Sequence, residues 1–144
     1  TVAGFSMGGY GAARLGFKYS QVFGRIVMIG AGTLDPDLSN TPRADARTRD
    51  YVMSHVFGSS TEYFFKQSPR YLSSQYSRHA FENPISITIV VGDQDEVYSQ
   101  NLAFYKYLIS LGLEPRLFVL SNVKHDLKSY FGPATQPSGW LKDL

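Results

Sequence analysis

Gly4-Phe5-Ser6-Met7-Gly8 sits between an apolar run, Thr1–Phe5, and a stretch of small residues and helix formers, Gly8–Tyr19 (GGYGAARLGFKY). The pattern is strand, sharp turn, helix. Gly-x-Ser-x-Gly in that setting has a steric cause. A serine on a tight strand-to-helix turn takes a strained backbone conformation, and the residues two before and two after it approach so closely that side chains there would clash. Glycine at both positions relieves the clash, and the turn presents the serine hydroxyl as a candidate nucleophile. Gly9, Gly11, Ala12 and Ala13 continue the small-residue run and let the helix lie close to the strand layer.

Three further strands follow. Arg25–Gly30 (RIVMIG) is a continuous apolar run bounded by glycines, as expected of a strand buried on both faces. Ile85–Val91 (ISITIVV) is the clearest strand and ends at Gly92-Asp93-Gln94-Asp95; Arg116–Leu120 (RLFVL) is the last. Between the second and third strands, residues 33–83 form a polar and aromatic excursion with helix signals only. Arg47–Val56 reads as a helix stopped by Gly58, Ser59 with Glu62 as a capping box, and Ser68-Pro69 as an N-cap followed by proline at the first helical position. Tyr98–Leu111 reads as an amphipathic helix with Leu102, Tyr105, Leu108 and Ile109 on its apolar face. Strands alternating with helices imply an α/β fold, a mostly parallel sheet with helices on both faces, in one domain over residues 1–144. Such a sheet binds ligands at the carboxyl ends of its strands.

Composition narrows the chemistry. Ten Tyr, ten Phe and one Trp in 144 residues supply enough bulky apolar surface for a core, so the chain is not disordered. With no cysteine, disulfides, thiolate zinc sites and cysteine nucleophiles are excluded. Fourteen Lys and Arg against twelve Asp and Glu are scattered along the chain, which gives no nucleic-acid footprint. The longest apolar runs are strand-sized and far short of a membrane span. Gly9-Tyr10-Gly11 lacks the third glycine of a dinucleotide fingerprint, and neither a P-loop nor His-Glu-x-x-His occurs. His125-Asp126 has no nearby Cys, Glu or second His to make a metal site, so neither a metal nor a cofactor is expected.

A serine hydroxyl needs a base within hydrogen-bond reach, itself oriented by a third group. Of the three histidines, His55 and His79 lie in the excursion and read as ordinary surface or core residues, whereas His125 follows the last strand. The acid comes from the loop after the third strand, where Asp95 is favoured over Asp93, read as a turn or capping residue. Asp126, adjacent to His125, is poorly placed to take its ring N–H. Ser6, Asp95 and His125 each fall just after the end of a strand.

Taken together, GFSMGGYGA at 4–12, IVVGDQDEV at 89–97 and VKHD at 123–126 resemble the α/β-hydrolase superfamily. Within it the resemblance is to the esterase group that includes S-formylglutathione hydrolases of the esterase D type, tributyrin-type and feruloyl esterases, and the mycolyltransferases. A Gly-x-x-Asp pattern counted from Gly92 places the acid at Asp95, and the Ser…Asp…His order is that of this fold. The resemblance implies strands five to eight only, with the first four strands absent, and hence a piece of a longer enzyme. It implies Met7 N–H as one oxyanion donor, with no counterpart here for the second, and an unpaired edge along Thr1–Gly4. The expected activity is that of a serine hydrolase cleaving a small-molecule carboxylic ester through an acyl-enzyme, with Ser6, Asp95 and His125 catalytic. Alternatives are an acyltransferase using the same residues, or a non-catalytic binding protein or fragment. The aromatic cluster Phe57, Tyr63, Phe64, Phe65 and Tyr71 is a candidate cap over Ser6, or packs the excursion onto the body.

Overall fold

A computed structural model describes residues 1–39, 41–133, 135 and 139–144. Four strands, β1 (Val2–Phe5), β2 (Arg25–Ile29), β3 (Ser86–Gly92) and β4 (Arg116–Leu120), form one sheet in chain order with every pairing parallel. Ile26 is in register with Val2 on one side and Ile87 on the other, and Ile89 with Leu117. The helices are α1 (Met7–Lys18), α2 (Ala46–Val56), α3 (Thr61–Lys66), α4 (Pro69–Ser77), α5 (Tyr98–Ser110) and α6 (Leu127–Tyr130), followed by a 3-10 turn at Trp140–Asp143. No helix among the described residues is long and apolar enough to cross a membrane.

Chain order equal to sheet order, with right-handed crossovers, puts the connecting helices on a single face. There Ile26, Met28, Ile87 and Ile89 pack under Ala13 and Phe17 of α1, Tyr76 of α4, and Phe104 and Leu108 of α5. Val27, Ile29 and Val90 point the other way, because side chains alternate along a strand, and meet Val123, Tyr130 and Trp140. Both faces are covered as expected, the second, among the described residues, by Val123, α6 and the 3-10 turn. Strand β1 is an edge, with β2 its one strand partner among the described residues.

Local chemistry explains most boundaries. Ser68 accepts the Tyr71 N–H and Pro69 opens α4, as the sequence implies. The cap of α3 is displaced by one residue: Ser60, not Ser59, accepts the Tyr63 N–H, at 3.1 Å, while Ser59 turns the chain at φ 59°. The apolar face expected for α5 is also out of phase. Ile109 is half exposed, and the buried positions are Gln100, Asn101, Phe104 and Leu108. The reason is polar: the Asn101 amide donates to the Ala31 carbonyl at 2.8 Å and to the Val97 carbonyl at 2.9 Å, tying α5 to the end of β2. A hydrophobic count is blind to such a bond.

The turn at Ser6 corrects one expectation. A Cβ on Gly4 would lie 2.2 Å from the Gly8 carbonyl oxygen, but a Cβ on Gly8 would meet nothing within 4 Å. It is the backbone of Gly8, not a side-chain position, that crowds Gly4. Gly4→Ala is therefore expected to destabilise the fold by about 3 kcal/mol. Gly8→Ala should stay within about 1 kcal/mol of the parent, and thermal unfolding of the pair checks the contrast.

Candidate active site

Ser6 takes φ 56° and ψ −119° between β1 and α1, a conformation L-residues avoid. Strain of this kind costs about 1–3 kcal/mol and persists only where the surroundings over-determine it. Here the Ser6 N–H donates to the Ile29 carbonyl at 2.9 Å, and its own carbonyl accepts from Gly9, Tyr10 and Gly32 N–H groups. The turn is thus pinned to the end of β2 and to the first turn of α1. Its side chain is left projecting beyond the carboxyl ends of the strands.

His125 reaches that side chain from the loop after β4. Its Nε2 lies 2.8 Å from Ser6 Oγ, across 119 residues of chain, and its Nδ1 lies 3.0 and 2.9 Å from the two carboxylate oxygens of Asp95. A carboxylate only accepts, so the imidazole proton sits on Nδ1 and leaves Nε2 free to accept the serine proton. The Asp95 carboxylate is wholly removed from solvent and the His125 ring nearly so. Phe5 covers the ring, centroid to centroid at 4.8 Å. Asp95 in turn accepts the Val97 N–H at 2.9 Å and the Tyr130 hydroxyl at 2.6 Å.

The three residues singled out in the sequence are therefore brought together, and the other candidates are not. Asp93 accepts the Asn122 N–H at 2.8 Å, which fastens the loop that carries His125 to the loop after β3. Asp126 caps α6 by accepting from the Ser129 N–H. His55 lies exposed and stacked on Tyr51, and His79 packs edge-on against Tyr76. Among the described residues no cluster of His, Cys, Asp or Glu could hold a metal ion.

Ser6, Met7 and His125 open into a cavity of about 390 Å³. The excursion supplies much of its wall, with Leu38, Val52, Phe57 and Phe64 facing Tyr10 and Val97. Two of the five clustered aromatics thus line the cavity, whereas Phe65 packs on Tyr71 and Tyr63 stands half exposed. At the rim Arg43 and Glu96 form an ion pair. Both side chains are well exposed, so the pair contributes little stability.

Sequence reading missed Tyr130. No motif marks it, and only α6 brings it under Asp95. Its hydroxyl also accepts the Gly92 N–H at 2.9 Å, and burial, then the hydrogen bond to Asp95, pushes its pKa well above a tyrosine's ordinary 10.0. The folded protein keeps this proton at a pH where the unfolded chain loses it, so the stabilisation is complete below about 10 and falls as pH rises further. Denaturant unfolding of Tyr130→Phe should show a shallower alkaline decline than the parent.

No family model matches the chain, and neither does any curated protein. Solved structures do. FphF, a fluorophosphonate-binding serine hydrolase of Staphylococcus aureus solved with substrate bound, superposes with a TM-score of 0.72 at 21% identity, over 96% of this chain and 52% of its own. The S-formylglutathione hydrolase FrmB of Staphylococcus aureus gives 0.64 at 22% identity, over 96% and 49%. A ferulic acid esterase gives 0.65 at 20% identity, over 96% and 48%. The chain spans about half the length of these proteins. Its parallel four-stranded sheet and flanking helices have the α/β-hydrolase fold, over about half of the length of these neighbours.

Proposed function

We propose that Ser6, His125 and Asp95 are the catalytic triad of a serine hydrolase that cleaves carboxylic esters through an acyl-enzyme. The observation that carries this reading is the hydrogen-bonded chain from Ser6 Oγ through His125 to Asp95, with contacts of 2.8 and 2.9 Å, ending on a serine whose strained turn faces an apolar cavity. His125 Nε2 takes the hydroxyl proton as Ser6 Oγ attacks the ester carbon, and the carbonyl π electrons move onto oxygen. Asp95 stabilises the imidazolium so formed. The Met7 N–H, at the first position of α1, has no acceptor within its own helix and is aligned with the helix dipole. It is the oxyanion donor this chain supplies, and such a donor contributes about a hundred- to a thousand-fold in rate. The imidazolium then protonates the departing alkoxide. Water, deprotonated by the same nitrogen, attacks the acyl carbon, and the Oγ–acyl bond breaks to return Ser6 and the free acid.

The lining of the cavity supports a hydrocarbon group as the part of the ester bound there. Treating the full-length protein with a fluorophosphonate, then mapping peptides by mass, tests the assignment. A single adduct on Ser6, lost in Ser6→Ala, is the expected result. An adduct elsewhere, or none, with ester hydrolysis unchanged in Ser6→Ala, overturns it.

A further inference from the structure

The Asp95 carboxylate is held by more than His125. Oδ1 accepts the Val97 N–H, and Oδ2 takes the Tyr130 hydroxyl at 2.6 Å, the short range of hydrogen bonds to ionised oxygen. Tyr130 is completely buried, with its ring edge against Phe5, the ring that also covers His125. The Gly92 N–H fixes the hydroxyl from the end of β3, and Thr135 Oγ1 donates to the Tyr130 carbonyl at the end of α6. Gly30, at φ 48° after β2, leaves the room required: a Cβ there would stand 2.8 Å from the Tyr130 hydroxyl and 3.1 Å from Asp95 Oδ2. The ends of β2 and β3 thus converge with α6 on one oxygen.

A phenylalanine would fill the same space, so the hydroxyl is the informative part. We propose that Tyr130 is a positioning residue of this site: its hydroxyl holds the Asp95 carboxylate against His125 and takes up part of its negative charge, tempering the attraction of that carboxylate for the imidazolium. This rests on the hydrolase reading above, in which the imidazolium forms during the reaction. A carboxylate that bound the proton on His125 too strongly would leave less free base at neutral pH. Tyr130 sets that balance. Among the described residues, Phe5 and the Ser6 hydroxyl touch His125 from β1 and its turn, and Tyr10, Arg43, Arg49 and Glu96 are the other titratable or charged groups lining the same cavity. Lys124 and Asp126 flank it on exposed backbone.

The test follows the His125 imidazole by NMR, through its ring proton shifts against pH, in the full-length protein. Tyr130→Phe is expected to move its titration midpoint to higher pH by about 0.5–1 unit, since the carboxylate loses a donor. Site-specific replacement of Tyr130 by 3-fluorotyrosine, a near-isosteric stronger donor, is expected to move it the opposite way while keeping the fold. The acidic limb of kcat/KM should move with the midpoint in each variant, with kcat for Tyr130→Phe down about tenfold and KM unchanged. Titration midpoints unmoved in both variants, with Ser6-dependent hydrolysis intact, would overturn the proposal. Midpoints that move as expected in a protein without ester hydrolysis would support the positioning role and reject the hydrolase reading instead.

Discussion

Ser6→Ala is expected to lower kcat of the full-length protein by about 10⁵- to 10⁶-fold, with KM nearly unchanged. The attacking oxygen is removed, and neither His125 nor Asp95 can substitute for it. Triad members act as a unit, so losing the nucleophile costs about as much as losing the whole set. What remains is the rate that oxyanion binding and substrate positioning give to attack by water. The fold should be untouched. Ser6 is held through its backbone N–H and carbonyl, which alanine retains, and among the described residues its one side-chain hydrogen bond is to His125. A steady-state assay on a chromogenic ester, beside a thermal unfolding curve, reads both quantities. Activity within threefold of the parent would remove Ser6 from the mechanism.

Asp95→Asn is expected to lower kcat by about 10⁴-fold, for a different reason. Oδ1 accepts the backbone N–H of Val97, so the asparagine carbonyl is drawn to that position and its NH₂ takes the place of Oδ2, beside His125 Nδ1 and the Tyr130 hydroxyl. A donor facing Nδ1 forces the imidazole proton onto Nε2. The ring then has no free nitrogen for the serine proton, and a wrong tautomer of this kind has an effect of about 10⁴. The Tyr130 hydroxyl also loses its ionised acceptor inside the protein, which costs about 1–3 kcal/mol of stability. The variant should therefore fold with a lower Tm, resist fluorophosphonate labelling, and regain rate at high pH, where the small fraction of correct tautomer meets more hydroxide. A rate within tenfold of the parent would show that Asp95 does not orient His125.

How far these residues were legible depends on the range of the physics involved. The turn at Ser6, the strand ending at Gly92 and the Ser68-Pro69 cap are written in neighbouring residues, because crowding, period-two burial and orphan N–H groups act over a few positions. The capping box at Ser59 failed by one position because both serines precede a helix-forming run, and only the φ of 59° at Ser59 separates a turn residue from a cap. The phase of α5 failed because burial there is decided by Asn101 meeting the Ala31 carbonyl, 70 residues earlier in the chain.

Local order alone determined the strand-turn-helix at Ser6, the four parallel strands and the three side chains carried just beyond their ends. That followed because a parallel sheet delivers the carboxyl ends of its strands to one side, so Ser6, Asp95 and His125 share it wherever the helices lie. Tertiary structure alone decided which aromatic rings wall the cavity and that Tyr130 stands beneath Asp95. Those outcomes turn on angstrom-scale distances between groups far apart in the chain, such as Tyr130 to Asp95 at 2.6 Å across 35 residues. Hydrogen bonds fail beyond about 3.5 Å, and no pattern of residue types along a chain carries that precision.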